Sequence, residues 1–347
     1  MKSSSKVNLK QHPNEGGIYI ETSTGTRLRP NTNAWIENHV LSHRKVNIRT
    51  NSIGYRNPEI GKKTKKRILF LGDSVVFEDY LEEKNTCVRR IENNLLQKGI
   101  DVETINAGVG AVGTMNELAI LQETGLNTEP DIVVLVFALN DFQPSPVFKM
   151  MRIPDSLNWS WLINYIFKYA SIIRSKIIKT DDLNIQTRKV KGWINEIKSK
   201  YGRKNDKIDS FDNNNNKTFN DQIIENVADW GLAWSENAWT DMQKVFNEFL
   251  KLSQVYNFKF CIIVYPPKQQ VDYENASDFP QIKLKELGKK SSVPVYDLLP
   301  FFKKIAVSHK NENLFYDRSH PTEFMDKLIA DELTTFLAEQ YFIKKNR

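Results

Sequence analysis

The chain has 347 residues, of which 40% are hydrophobic and 26% charged, with 49 Lys and Arg against 42 Asp and Glu. That balance suits one large packed domain or two small ones and excludes a wholly disordered chain. Two cysteines, Cys87 and Cys261, exclude a disulfide framework and a zinc site built on several thiolates. Cys261 falls inside the apolar run Phe260 to Tyr265 and reads as a small core residue.

The net charge of +7 invites a nucleic-acid reading, but its distribution opposes one. Residues 161–210 hold 12 Lys and Arg against 5 Asp and Glu, and the rest of the chain holds 37 of each. No nucleic-acid-binding motif accompanies that basic stretch, so it reads as a solvated helical face and no nucleic-acid partner is expected. A surface that attracts an anionic glycan or lipid is the alternative. No apolar run follows the basic start Met1-Lys2-Ser3-Ser4-Ser5-Lys6, and Leu157 to Ile173 is too short and too polar to span a bilayer. A cytoplasmic protein without an integral membrane segment is expected from the sequence as written, with an envelope location if an anchor lies outside it.

In chain order, residues 1–66 read as a loop-rich N-terminal extension packed on the core, broken by Pro13, Gly16-Gly17, Pro30 and Pro58. Ile68 to Leu71 is the first convincing strand, followed by a helix from about Lys84 to Lys98. A strand over Val102 to Ile105 and a helix over Thr114 to Gln122 come next. Ile132 to Phe137, six apolar residues in a row, predicts a strand buried on both faces. Residues 142–234 break the alternation and are expected to form an inserted helical cap, with Trp161, Leu162, Tyr165, Ile166, Tyr169 and Ile173 on one helical face. Trp239, Met242, Phe246, Phe249 and Leu250 then line an amphipathic helix. Strands over Phe260 to Tyr265 and Val295-Tyr296 and a helix over Glu323 to Tyr341 close the chain. Strands alternating with helices predict an α/β fold with a parallel sheet, its core divided between residues 67–141 and 235–347.

Polar turns follow these strands: Gly72-Asp73-Ser74, Asn106-Ala107-Gly108-Val109-Gly110-Ala111-Val112-Gly113 and Ala138-Leu139-Asn140-Asp141, with Asp317-Arg318-Ser319-His320-Pro321 near the C-terminus. Ligands of open α/β sheets bind outside the carboxyl ends of the strands, so these turns should converge. A serine needs a base to take its proton, histidine suits that role near neutral pH, and a carboxylate orients the imidazole. Ser74, His320 and Asp317 supply those three types, and one turn can present the last two together. A flexible Gly108 to Gly113 loop can offer a backbone N–H to an oxyanion and Asn140 a side-chain amide. Taken singly, each turn also reads as an ordinary strand-end turn. Gly108 to Gly113 matches a dinucleotide spacing, but no acidic residue ends a strand about 20 residues later, which disfavours a nucleotide site. His12, His39, His43 and His309 lie in polar settings and are expected to be exposed.

In this order the four turns resemble the blocks of the SGNH (GDSL-type) hydrolases, over about residues 67–141 and 236–340. The resemblance implies a three-layer αβα sandwich with a flavodoxin-like central parallel sheet. It further implies Ser74 as nucleophile, His320 as base and Asp317 as its orienting carboxylate. The oxyanion hole would use Ser74, Asn140 and a backbone amide at Ala111, flanked by Gly108 and Gly110. Two positions depart from the pattern: Ala111 and Ala138 stand where that family usually has glycine. Leu28 to Asn31 and Asn51 to Arg56 resemble N-terminal extensions of bacterial members tied to envelope polysaccharides. The implied activity is a serine esterase acting on O-acyl groups of a small molecule or glycan, with no metal or organic cofactor. An O-acyltransferase using the same site and a catalytically silent glycan-binding protein are the alternatives. Neither the oligomeric state nor the acyl group is written in the sequence.

Overall fold

The chain was analysed as a computed structural model, which describes residues 7–8, 17–22, 24–142, 181–202 and 217–343. Contrary to the loop-rich expectation, the described residues before Lys66 form five short strands. They are β1 (Val7–Asn8), β2 (Tyr19–Thr22), β3 (Gly25–Leu28), β4 (Asn33–Ile36) and β5 (Val46–Arg49). β2 and β3 form a hairpin, and β1, β4 and β5 form a small antiparallel sheet in the order β1-β4-β5. Strands of two to four residues separated by Gly and Pro are too short to show a clear period 2, which is why sequence periodicity missed them.

The main sheet begins at β6 (Lys66–Leu71), which leads through α1 (Ser74–Phe77) and α2 (Cys87–Gln97) to β7 (Val102–Asn106). α3 (Thr114–Ile120) precedes β8 (Ile132–Ala138). After α4 (Asp181–Tyr201), α5 (Phe219–Glu225) and α6 (Glu236–Tyr256) comes β9 (Lys259–Tyr265). α7 (Lys268–Asp272), α8 (Phe279–Ser291), β10 (Val295–Asp297), α9 (Leu299–Ser308) and α10 (Glu323–Tyr341) complete the chain. α7, α8 and α9 were not predicted; Pro280 and Pro300 stand in the first turns of α8 and α9, where proline is tolerated but reads in sequence as a breaker.

All five strands of the main sheet run parallel in the order β10-β9-β8-β6-β7. β8 shows why helices must cover both faces. Val133, Leu135 and Phe137 join a core with Phe246 and Phe249 of α6, while Val134, Val136 and Ala138 join one with Leu95 of α2 and Leu333 of α10. Every residue of β8 is buried, as period 2 demands of a strand between two apolar layers. The fold is therefore a three-layer αβα sandwich. Because β6 has β7 on one side and β8 on the other, the strand order reverses at β6/β8, where such sheets open a crevice.

Within 142–234 the described residues share the core of the α6 face: Ile197, Phe219, Trp230 and Trp234 are all buried there. Glu196 of α4 accepts from Ser235 Oγ (2.6 Å) and the Glu236 N–H (2.7 Å), so it helps start α6. The aromatic stripe expected over 161–173 lies outside the described residues. Among those described, no helix is long and apolar enough to cross a membrane.

Candidate active site

β6 ends at Leu71, and the chain turns at once through Gly72 and Asp73. Gly72 is needed because a methyl there would lie 2.4 Å from Val76 Cγ2. Asp73 caps α1, its Oδ1 accepting from the Val75 N–H at 3.0 Å. That sharp exit leaves Ser74 partly exposed at the carboxyl end of β6.

Across the crevice, Asp317 to His320 forms a turn pinned from three sides. Tyr316 N–H donates to His320 O (2.8 Å), Lys268 N–H donates to Arg318 O (2.8 Å), and Phe315 bridges to Pro321. Asp317 Oδ1 accepts from the backbone N–H groups of Ser319 (2.8 Å) and His320 (2.9 Å). The same carboxylate faces His320 Nδ1 at 2.9–3.0 Å, and His320 Nε2 lies 2.8 Å from Ser74 Oγ. Two residues 246 positions apart thus meet at hydrogen-bond distance.

The electrostatics follow from these contacts. Burial opposes ionisation of Asp317, but hydrogen bonding and charge from His320, with the two backbone donors, hold its carboxyl at about 2. Burial also opposes the imidazolium of His320, yet Asp317, then Asp73 and Asp79, raise it above the ordinary histidine value. The Tyr80 ring meets the imidazole edge-on at 5.5 Å between centroids. Sequence reasoning did not find Tyr80; it has no motif, and only the fold brings it to His320.

The positions expected to supply oxyanion donors differ in what holds them. Asn140, beyond β8, donates from Nδ2 to Asp73 Oδ2 at 3.0 Å and remains partly exposed. An amide nitrogen carries two hydrogens, so a second one is left for a ligand. Ala111 is exposed and has φ +59°, a left-handed conformation that costs roughly 1–2 kcal/mol for a residue with a Cβ. Alanine here keeps the backbone conformation that glycine favours. Among the described residues neither the Ser74 nor the Ala111 N–H donates a hydrogen bond.

In the Gly108 to Gly113 loop all residues except Ala111 are buried. A methyl at Gly108 would lie 2.5 Å from the Phe77 backbone nitrogen, and Val109 N–H donates to Gly72 O at 3.1 Å. Asn106 ties the two turns together, donating to Val76 O (2.8 Å) and accepting from Gly108 N–H (3.0 Å).

A second correction concerns His39. Expected to be exposed, it is buried, with Nε2 3.4 Å from Asp79 Oδ1 and Nδ1 accepting from Leu41 N–H at 3.2 Å. Beside it Arg56, fully buried, donates to the carbonyls of Phe77 (2.9 Å), Glu78 (2.5 Å) and Leu81 (2.6 Å). The N-terminal segment therefore packs against α1 and the residues just after it, through His39 and Arg56. His43 is exposed and His309 half-buried, and His12 lies outside the described residues. A cavity of ≈ 630 Å³ between α6 and α8, lined by Trp239, Phe246 and Lys283 among others, includes none of Ser74, Asp317 or His320.

No family profile matches the chain, and no curated protein matches it. Solved structures do. An acetyl xylan esterase, AlAXEase, aligns over 78% of this chain and 99% of its own at 15% identity, with a TM-score of 0.44. The psychrotrophic esterase EstA from Pseudoalteromonas sp. aligns over 80% of this chain and 98% of its own (13% identity, TM-score 0.42). TesA aligns over 79% and 99% (10% identity, TM-score 0.43).

Proposed function

We propose that the chain is a serine esterase of the SGNH type, working through an acyl-enzyme on Ser74. The observation that carries this reading is the hydrogen-bonded series from Ser74 Oγ through His320 to Asp317. His320 Nε2 takes the Ser74 proton as Oγ attacks the ester carbonyl, and Nδ1–H stays on Asp317, which stabilises the imidazolium. Charge on the carbonyl oxygen would be met by the N–H groups of Ser74 and Ala111 and by Asn140 Nδ2. His320 returns the proton to the leaving alkoxide, then activates water to release the acid.

The substrate class we assign is an O-acyl ester, with a carbohydrate as the alcohol. The likeness of residues 28–31 and 51–56 to extensions of polysaccharide-linked enzymes supports that assignment. In this reading residues 67–141 and 235–347 are the catalytic core, residues 1–66 an extension packed on it, and 142–234 an insertion beside the site. The ion pair of Asp229 with Arg318 joins that insertion to the histidine turn.

The test compares wild type and Ser74→Ala on p-nitrophenyl acetate, with a fluorophosphonate probe to label the nucleophile. Hydrolysis and labelling should both vanish in Ser74→Ala. Undiminished hydrolysis by that variant would remove Ser74 from the mechanism. A product assay with an acceptor glycan present separates hydrolysis from acyl transfer.

A further inference from the structure

We infer that Tyr19, in the N-terminal hairpin, is a positioning residue for the oxyanion hole, holding Gly110 and with it the Ala111 amide. This inference rests on the esterase reading and extends it to a segment outside the four strand-end turns.

The contact is direct. A methyl built on Gly110 would lie 2.5 Å from Tyr19 Oη and 3.5 Å from its Cζ, so the phenol already fills that space. The Tyr19 ring also meets Phe77 of α1 edge-on, 6.1 Å between centroids, and thereby touches the elements that present both Ser74 and Ala111. Burial raises the Tyr19 hydroxyl well above its usual value, with Asp79 and Asp73 adding to the effect. Its tip therefore stays neutral beside the carboxylates of the crevice.

Tyr19 is itself held firmly. Its strand pairs with β3, with Tyr19 opposite Leu28. Arg27 of β3 donates to Asn116 Oδ1 (2.9 Å) and pairs with Glu123 (2.8 Å), while Asn116 Nδ2 donates to Thr26 O (3.2 Å). Gly25, at φ +124°, lets the hairpin approach so closely that a methyl there would fall 1.8 Å from Asn116 Oδ1. Asn116 stands in α3, the helix that the Gly108 to Gly113 loop opens. The hairpin thus grips the helix after the loop and presses Tyr19 on the loop itself.

The reason such a brace is needed is the left-handed backbone at Ala111. Unbraced, an alanine relaxes to negative φ, which turns its N–H away from its present direction. Braced, the amide keeps its direction before the substrate arrives, as electrostatic stabilisation of an oxyanion requires.

The experiment is a double-mutant cycle on Tyr19→Phe and Gly110→Ala, with Tyr19→Ala alongside. Three quantities are read: the rate of Ser74 labelling by a fluorophosphonate, kcat and KM on p-nitrophenyl acetate, and the acid-limb midpoint of kcat/KM. Gly110→Ala should slow labelling and kcat about tenfold or more, a fraction of the 10²–10³ lost with a whole oxyanion donor. Tyr19→Phe, which removes only Oη, should restore Gly110→Ala to within about threefold of Tyr19→Phe alone, since the coupling energy of contacting residues is large. Tyr19→Ala should lower kcat by a similar factor, with KM within about twofold and the acid-limb midpoint unmoved, the signature of an interaction made in the transition state. Unchanged rates in Tyr19→Ala, or no recovery in the double variant, would overturn the role of Tyr19. Should Tyr19→Ala fail to fold, the Phe and Gly110 pair decides alone. Absence of Ser74 labelling in wild type would instead overturn the esterase reading itself, and this inference with it.

Discussion

Asn140 Nδ2 donates to Asp73 Oδ2 at 3.0 Å, so the residue before the proposed nucleophile aims the side chain proposed to meet the oxyanion. The bond spans β6 and β8, the two strands that flank the sheet's reversal point. Asp73 is buried, and desolvation raises its carboxyl despite the donors around it. Asn140→Ala should lower kcat by about 10²–10³ with little change in KM, measured by steady-state kinetics. Asn140→Asp should do no better, because it sets a second carboxylate against Asp73.

The proposed base has a readable titration. In the proposed role His320 must be neutral, and its imidazolium is stabilised by Asp317, Asp73 and Asp79, so kcat/KM should rise with pH through a midpoint above 6.5. Asp317→Asn removes the largest stabilising partner. The midpoint should fall, and kcat should drop about 10⁴-fold as the imidazole loses its tautomer and its countercharge. Asp79→Asn should lower the midpoint by less, with kcat on the plateau nearly preserved.

Glu78 and Asp326 form a buried pair of acids. Burial pushes Asp326 up to about 6, and Glu78 beside it is raised well above its ordinary value. An acid whose folded pKa exceeds its ordinary 3.8 adds stability that is full below that pH and lost as pH rises through about 6. Asp326→Asn is neutral at every pH. Its Tm should therefore fall less than that of wild type between about pH 4 and pH 8, read by thermal melts across that range.

Arg56 crosses from the N-terminal segment to donate to three carbonyls at the end of α1 and just beyond it. Arg56→Ala leaves the buried carbonyls of Phe77 and Leu81 without their Arg56 donor, while Glu78 O keeps the Leu81 N–H, which should destabilise by about 3 kcal/mol in denaturant unfolding. Arg56→Lys should recover little of this, because a single ammonium lacks the planar fork that reaches three acceptors.

Much of the core was legible because it obeys simple periodicities. Ile68 to Leu71, Ile132 to Phe137 and Phe260 to Tyr265 are apolar runs, and each became a strand buried on both faces. The helix Glu323–Tyr341 carries its boundaries in Thr322, whose hydroxyl accepts from Met325 N–H at 3.4 Å, and in its apolar stripe. The N-terminal segment was not legible in the same way. Its strands are only two to four residues long, and the side chains Tyr19, His39 and Arg56 make contacts with residues farther along the chain.

Which chemical groups stand at the strand ends is legible in the chain alone, because turn residues and apolar runs follow from local geometry and from the need to bury nonpolar surface. Ser74, Asn140, Asp317 and His320 were all named on those grounds and on resemblance. Folding brings Ser74 and His320 to 2.8 Å, holds Ala111 left-handed and closes a hairpin from the first 30 residues on Gly110. Distances between segments hundreds of residues apart depend on how sheet order and helix packing are satisfied together. No local pattern encodes that joint solution, so the fold alone turns four ordinary turns into one site.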